Sequence, residues 1–142
     1  MGAWENGNFG NDDAMDFVSE VNDKKAILDP ILKISNASAT EYLEAPDCSV
    51  ALAAIEYLAA ALGNPSEDFP EEARDWISKN KLLPFTEEGL LGIRKTEVEI
   101  IKHANQAIDK IKTNSELQEL WQESGEFEDW LNIVEGLKKR IS

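Results

Sequence analysis

The segment Cys48–Leu62 constrains the fold more than any other part of the chain. Val50, Leu52, Ile55, Tyr57, Leu58 and Leu62, with the alanines between them, point in almost every direction around a helix of 3.6 residues per turn. Asp47 in front reads as a cap for free backbone N–H groups, and Gly63 behind as a left-handed terminator. A helix that is apolar all round is stable only where other elements enclose it. Crossing a bilayer takes about 20 apolar residues. The run from Val50 to Ile55 falls short of that before Glu56 interrupts it, so it predicts a buried helix rather than a membrane span.

Enclosing elements follow from the same periodicity. Ala14, Phe17, Val18 and Val21 fall at i, i+3, i+4 and i+7 on a first helix that starts at Asn11 or Asp12 and ends near Asn22-Asp23. Asp29-Pro30 reads as cap and first helical position, with a soft middle at Ser35–Ser38 and helix on both sides, as far as Tyr42. Pro70 opens a helix through Ala73, Trp76 and Ile77 to about Asn80. Thr86 reads as the cap of a long helix to about Lys112, striped by Val98, Ile101, Ala104, Ile108 and Ile111 and disturbed at Gly89 and Gly92. Ser115 caps a short helix that Gly125 breaks, and Phe127 to Ile141 forms the last one. Little of the chain alternates at period two, so no sheet is expected.

The expectation is an all-α, compact single-domain bundle of about six helices, residues 1–142, around a central buried helix at roughly 47–62. Residues 1–10 are expected to be irregular and packed on the body through Trp4 and Phe9. At this length a single core buries roughly 68–70% of the unfolded surface, and 42% hydrophobic residues supply it.

Charge limits the possible partners. The chain carries 28 acidic and 14 basic residues, a net −14. Residues 1–73 hold 15 acids against Lys24, Lys25 and Lys33, whereas the remainder is nearly balanced. Such a field repels nucleic acid and anionic lipid and attracts basic proteins. No direct nucleic-acid or membrane partner is expected. Met1-Gly-Ala-Trp4 is followed by Glu5 and Asn6, which is neither a secretory leader nor a myristoylation site. Cys48 is the only cysteine, and an unpaired thiol suits a reducing compartment, so the expected location is cytoplasmic.

Several groups could carry chemistry. Asp12, Asp16 and Glu20 step by four along the first helix and could offer oxygens to a divalent cation, but one row cannot surround an ion. Cys48 at a helix start and His103 could form a nucleophile–base pair, though no oxyanion loop accompanies them. Trp4, Trp76, Trp121 and Trp130 sit among apolar residues and read as core. Gly89-Leu-Leu-Gly92 has neither the length nor the Gly-Lys-Ser/Thr ending of a phosphate loop. No catalytic set, metal or cofactor is expected.

Acidic clusters are the remaining signal. Glu67, Asp68, Glu71, Glu72 and Asp75 place five acids within nine residues, offset only by Arg74. Helix-start stabilisation explains some of them but not all. A second cluster, Glu116, Glu119, Glu123, Glu126, Glu128 and Asp129, contains no base. Two readings stand, a solvated face and a surface that steers a basic partner.

The opening Met1-Gly-Ala-Trp4, Gly7, Phe9, Asn11-Asp12, Ala14 and Asp16-Phe17 resembles that of a bacterial group of small acidic proteins, domain-of-unknown-function family 4259. Glu41–Ala45, Ala51–Ala54, Ala59–Gly63 and Ser115–Trp121 agree with it, while Glu5 departs from the pattern. The resemblance implies a bacterial origin and a shared helical fold, and no activity. Trp4, Phe9, Asp12, Asp16 and Phe17 suit a structural latch in which rings pack under the first helix and a carboxylate holds the glycine-rich segment; the alternative is that they line a site. The functional expectation is a non-enzymatic acidic protein-binding module, in its sharpest form an immunity-type inhibitor of a basic, nuclease-like toxin. The alternatives are a small metal protein or enzyme built on the first helix, and an adaptor with an apolar groove.

Overall fold

A computed structural model describes residues 7–80, 87–88, 94–95 and 97–142. The chain is all-α, with seven helices among the described residues: α1 (Asp12–Glu20), α2 (Lys24–Ser35), α3 (Ala45–Ala61), α4 (Glu71–Asn80), α5 (Glu97–Thr113), α6 (Glu116–Ser124) and α7 (Phe127–Arg140). α3 packs against each of the others. Its Cys48, Ala51, Ala53, Ala54, Ile55 and Leu58 are wholly or almost wholly buried, as an all-round apolar helix requires.

The helix ends follow local chemistry. Asn11 caps α1, its side chain accepting from the Ala14 N–H at 2.8 Å. Asp23 does the same for α2 through the Ala26 N–H at 2.9 Å. α3 closes in a Schellman arrangement: the Gly63 N–H reaches the Ala60 carbonyl and the Asn64 N–H the Ala59 carbonyl, with Gly63 at φ 96°. Ser115 caps α6, and Gly125 at φ 84° ends it.

Several sequence-based boundaries are corrected. α1 stops at Glu20, before Asn22-Asp23. α2 begins at Lys24 rather than Pro30, which sits inside it. The missing Pro30 N–H leaves the Ala26 carbonyl without its helical donor. Ala26 and Pro30 are half-buried and line an open groove where water can serve that carbonyl, so the proline is tolerated. No helix resumes between Ser35 and Ala45. Asp47 is not the cap of α3 but lies in its first turn. The N–H of Ala45 is taken instead by Glu116 of α6, at 2.7 Å, while the Glu116 N–H donates to the Leu43 carbonyl.

α5 starts at Glu97 rather than at Thr86. Before it, Glu87–Glu88 pairs antiparallel with Arg94–Lys95, a two-residue ladder where no sheet was expected. The paired positions, Glu87 with Lys95 and Glu88 with Arg94 in register, are all charged residue types and give no apolar alternation to read. Trp4, Thr86, Gly89, Gly92 and the Val98 side chain lie outside the described residues. Among the described residues no helix is long and apolar enough to cross a membrane.

Candidate functional site

Asn8, just ahead of α1, is held by a buried acid that periodicity alone leaves unexplained. Glu56, in the middle of α3, is only 1% exposed. Its carboxylate accepts both terminal nitrogens of Arg140, at 2.7 and 2.8 Å, and the Asn8 side-chain amide at 2.8 Å. Arg140 also donates to the Asn64 carbonyl, and the Asn64 side chain returns a bond to the Arg140 carbonyl. One carboxylate thus ties together α3, the end of α7 and residues 7–10. The sequence signal was a lone acid in an apolar helix, which needs a partner; nothing in the chain's spacing points to Arg140.

The residues considered for the latch divide. Phe9 is buried, edge-on to Phe69 at 5.6 Å, and Phe17 is buried, edge-on to Tyr57 at 5.6 Å. Asp12 and Asp16 are exposed on α1. Trp4 lies outside the described residues.

The five clustered acids also divide. All are exposed. Asp68 accepts the Ser66 hydroxyl at 2.7 Å, and its carboxylate crowds Gly7, where a Cβ would collide with it. Its charge also helps hold the Arg140 pKa above its ordinary value, after the larger contribution of the Glu56 bonds. Glu67 projects from the turn before α4. Glu71, Glu72 and Asp75 line one side of a cleft of about 600 Å³, which also has Val18, Ser19 and Val21 of α1 and Trp76, Lys79 and Asn80 of α4 in its walls. Arg74 turns away: its guanidinium lies 5.9 Å from the Phe69 ring centroid, and it lines a separate recess with Pro65 and Ile77.

Some of the charge elsewhere is compensated. Lys25 pairs with Asp29, Lys33 with Asp47, and Lys112 and Lys138 with Asp109 and Glu135. Burial alone would raise the Asp109 carboxyl, but Lys138 and Lys112 hold it below its usual range. Among the described residues, no ion pair takes up Asp12, Asp13, Asp16, Glu20, Glu71, Glu72 or Asp75. In the second cluster, Glu116 serves α3 and Glu119 accepts the Tyr42 hydroxyl, while Glu123, Glu126, Glu128 and Asp129 are exposed.

Cys48 and His103 have separate surroundings. Cys48 is fully buried, and burial first, with Asp47 and Glu116 adding to it, pushes its thiol up to about 12 against a weaker lowering by Ser115. Desolvation is the largest influence there. His103 meets α2, its Nδ1 2.9 Å from the Ser35 hydroxyl. Trp121 and Trp130 stack in the core with centroids 6.4 Å apart, whereas half-buried Trp76 reaches the cleft. Among the described residues no three of His, Cys, Asp and Glu gather as a metal site. A more apolar groove of about 400 Å³ lies between α1, α2 and α3, with Phe17, Val21, Pro30 and Val50 in its lining.

Fold and site together define a small all-α bundle with a carboxylate-and-indole cleft between its first and fourth helices. The chain belongs to the family described as Domain of unknown function (DUF4259), which matches residues 2–132. No curated protein and no solved structure matches it.

Proposed function

We propose that this protein is a non-enzymatic binding module that presents the acidic surface of α1 and α4 to a basic protein. The observation that carries the reading is the distribution of ion pairs. Lys25, Lys33, Lys112, Lys138 and Arg140 pair with Asp29, Asp47, Asp109, Glu135 and Glu56, while the carboxylates of α1 and α4 are exposed with no ion pair among the described residues. Glu123, Glu126, Glu128 and Asp129 are unpaired among them as well, and the α4 carboxylates are set apart by the cleft they line with Trp76. Exposed carboxylates add little stability, yet grouped ones accelerate encounter with a basic surface and disfavour acidic competitors. Trp76 adds what charge lacks, a rigid aromatic beside an apolar floor, the composition of an interface anchor.

A nuclease-like toxin fits the chemistry, because a surface built to hold nucleic acid is basic and an acidic helical face competes for the same ground. In that form the module is an immunity-type inhibitor acting in the cytoplasm of a bacterium. The test is affinity capture from source cells with the wild-type chain and a Glu71→Lys/Glu72→Lys/Asp75→Lys variant, followed by identification of the captured protein. The expected outcome is a strongly basic protein retained by the wild type and lost by the variant. A partner held equally by both, or one that is acidic, refutes the reading.

A further inference from the structure

We infer that the groove between α1, α2 and α3 binds a small free amine, with its ammonium at the Ala26 carbonyl and Glu20 and its apolar body against Phe17, Val21 and Val50. Among the described lining residues the groove shares only Val21 with the α1/α4 cleft, so the inference goes beyond the acidic-face reading and stands apart from it.

A backbone acceptor that α2 cannot satisfy carries the inference. In an α-helix the carbonyl of residue 26 takes the N–H of residue 30, and Pro30, inside α2, has none to give. No donor from outside α2 reaches that carbonyl among the described residues. Residues four apart share a helix face, and Ala26 and Pro30 both line the groove, so the unfilled acceptor between them sits at its wall. Both residues are half-buried. Water can serve the carbonyl in the free chain, and a ligand N–H that takes the water's place keeps the hydrogen bond while adding apolar contact.

The rest of the lining selects what carries that N–H. The groove holds about 400 Å³, a size that encloses a small ligand. Buried Phe17 and Val21 and half-buried Val50 make an apolar floor. Of the charged lining residues, Asp29 is taken by Lys25 at 3.0 Å, and Lys33 and Asp47 take each other at 3.1 Å. Glu20 has no ion pair among the described residues, which leaves the rim one uncompensated negative charge. An acceptor without a donor and a carboxylate without a cation suit one group that is both. An ammonium is, with three N–H groups to divide between them.

A ring or branched hydrocarbon fills a groove of this width better than the slim stem of a protein lysine, which favours a free amine. A metal ion fits poorly, since among the described residues no three of His, Cys, Asp and Glu gather to hold one.

The full chain, isotopically labelled for NMR, is titrated with phenethylamine, phenethyltrimethylammonium and phenethyl alcohol. The first carries charge and N–H, the second charge alone, the third a donor without charge. The expected result is saturable movement of the Phe17, Val21, Ala26 and Val50 amide signals with phenethylamine, and binding at least about fivefold weaker for each of the others. Pro30→Ala returns an N–H to the Ala26 carbonyl. It should keep α2 folded, weaken phenethylamine roughly tenfold and leave phenethyltrimethylammonium unchanged. Glu20→Gln, at an exposed position, should weaken both cations and spare the alcohol. Shifts that do not saturate, a trimethyl compound bound as tightly as the amine, or a Pro30→Ala chain that binds the amine like the wild type overturn the inference. So does an acetylated Gly-Lys-Gly amide that binds as tightly as phenethylamine, since the occupant would then be a protein lysine.

Discussion

Replacing Arg140 with methionine isolates the buried charge at the centre of the fold. Glu56 has a side chain only 2% exposed, and Arg140 is 25% exposed, so most of the pair is out of water. In the wild type the carboxylate has two guanidinium bonds and one amide bond, at 2.7, 2.8 and 2.8 Å. Arg140→Met leaves it with Asn8 alone, inside a helix whose neighbours are apolar. Removing one partner of a buried pair costs about 3–5 kcal/mol. Because water can approach through the Arg140 side, the lower end, about 3 kcal/mol, is expected. At 2–4 °C per kcal/mol for a chain of this size, the melting temperature should fall by roughly 6–12 °C. Removing both charges in Glu56→Leu/Arg140→Met should recover most of the loss and come within about 1 kcal/mol of wild type, since an apolar replacement leaves no stranded ion. Urea unfolding followed by circular dichroism, across the two single variants and the double, gives the coupling directly. The reasoning is refuted if Arg140→Met costs under about 1 kcal/mol, or if the double variant loses the sum of the two singles.

Three further outcomes follow from local contacts. The Cys48 thiol, pushed up to about 12 and fully buried, should resist a disulfide reagent at pH 8 in the folded chain, with roughly a thousandfold less thiolate than an exposed cysteine, and react at once in concentrated urea; rapid native labelling contradicts this. Tyr57→Phe removes a hydroxyl that has no partner among the described residues and should leave stability unchanged or raise it by up to about 1 kcal/mol in urea unfolding; a loss of more than about 1 kcal/mol would show an unrecognised bond. Glu116→Ala takes the acceptor from the Ala45 N–H and should cost about 1 kcal/mol, while Glu116→Gln, which keeps a carbonyl oxygen, should cost less; equal losses would mean the carboxylate acts through charge rather than as a cap.

Much of the helical architecture was legible because apolar spacing and end chemistry are local. The all-round apolar run of α3, its Gly63 terminator, the Ser115 cap and the Gly125 break are all written in short stretches of sequence. Boundaries failed where a distant residue supplied what the local one did not. Asp47 reads as a cap, but Glu116, far along the chain, takes the role. Pro30 reads as a start because an interior proline is costly, yet an open groove relieves that cost. The site was visible only in part. The acids of residues 67–75 stand out by density, but their division into cleft residues and Asp68, which sits against Gly7 near Arg140, depends on how α4 packs beside α1. The role of Glu56 was hidden for the same reason, because pairing across the fold leaves no periodic trace.

The most direct measurement is the association rate of the captured basic protein at about 50 and about 300 mM salt, spanning strong and weak screening. It should be compared for the wild type, a variant reversing Glu71, Glu72 and Asp75, and a variant reversing Glu123, Glu126, Glu128 and Asp129. A steering face on α1 and α4 predicts that added salt and the α4 reversal each slow association by roughly tenfold or more, while the second reversal has little effect. Rates indifferent to salt, or slowed equally by both reversals, would contradict it.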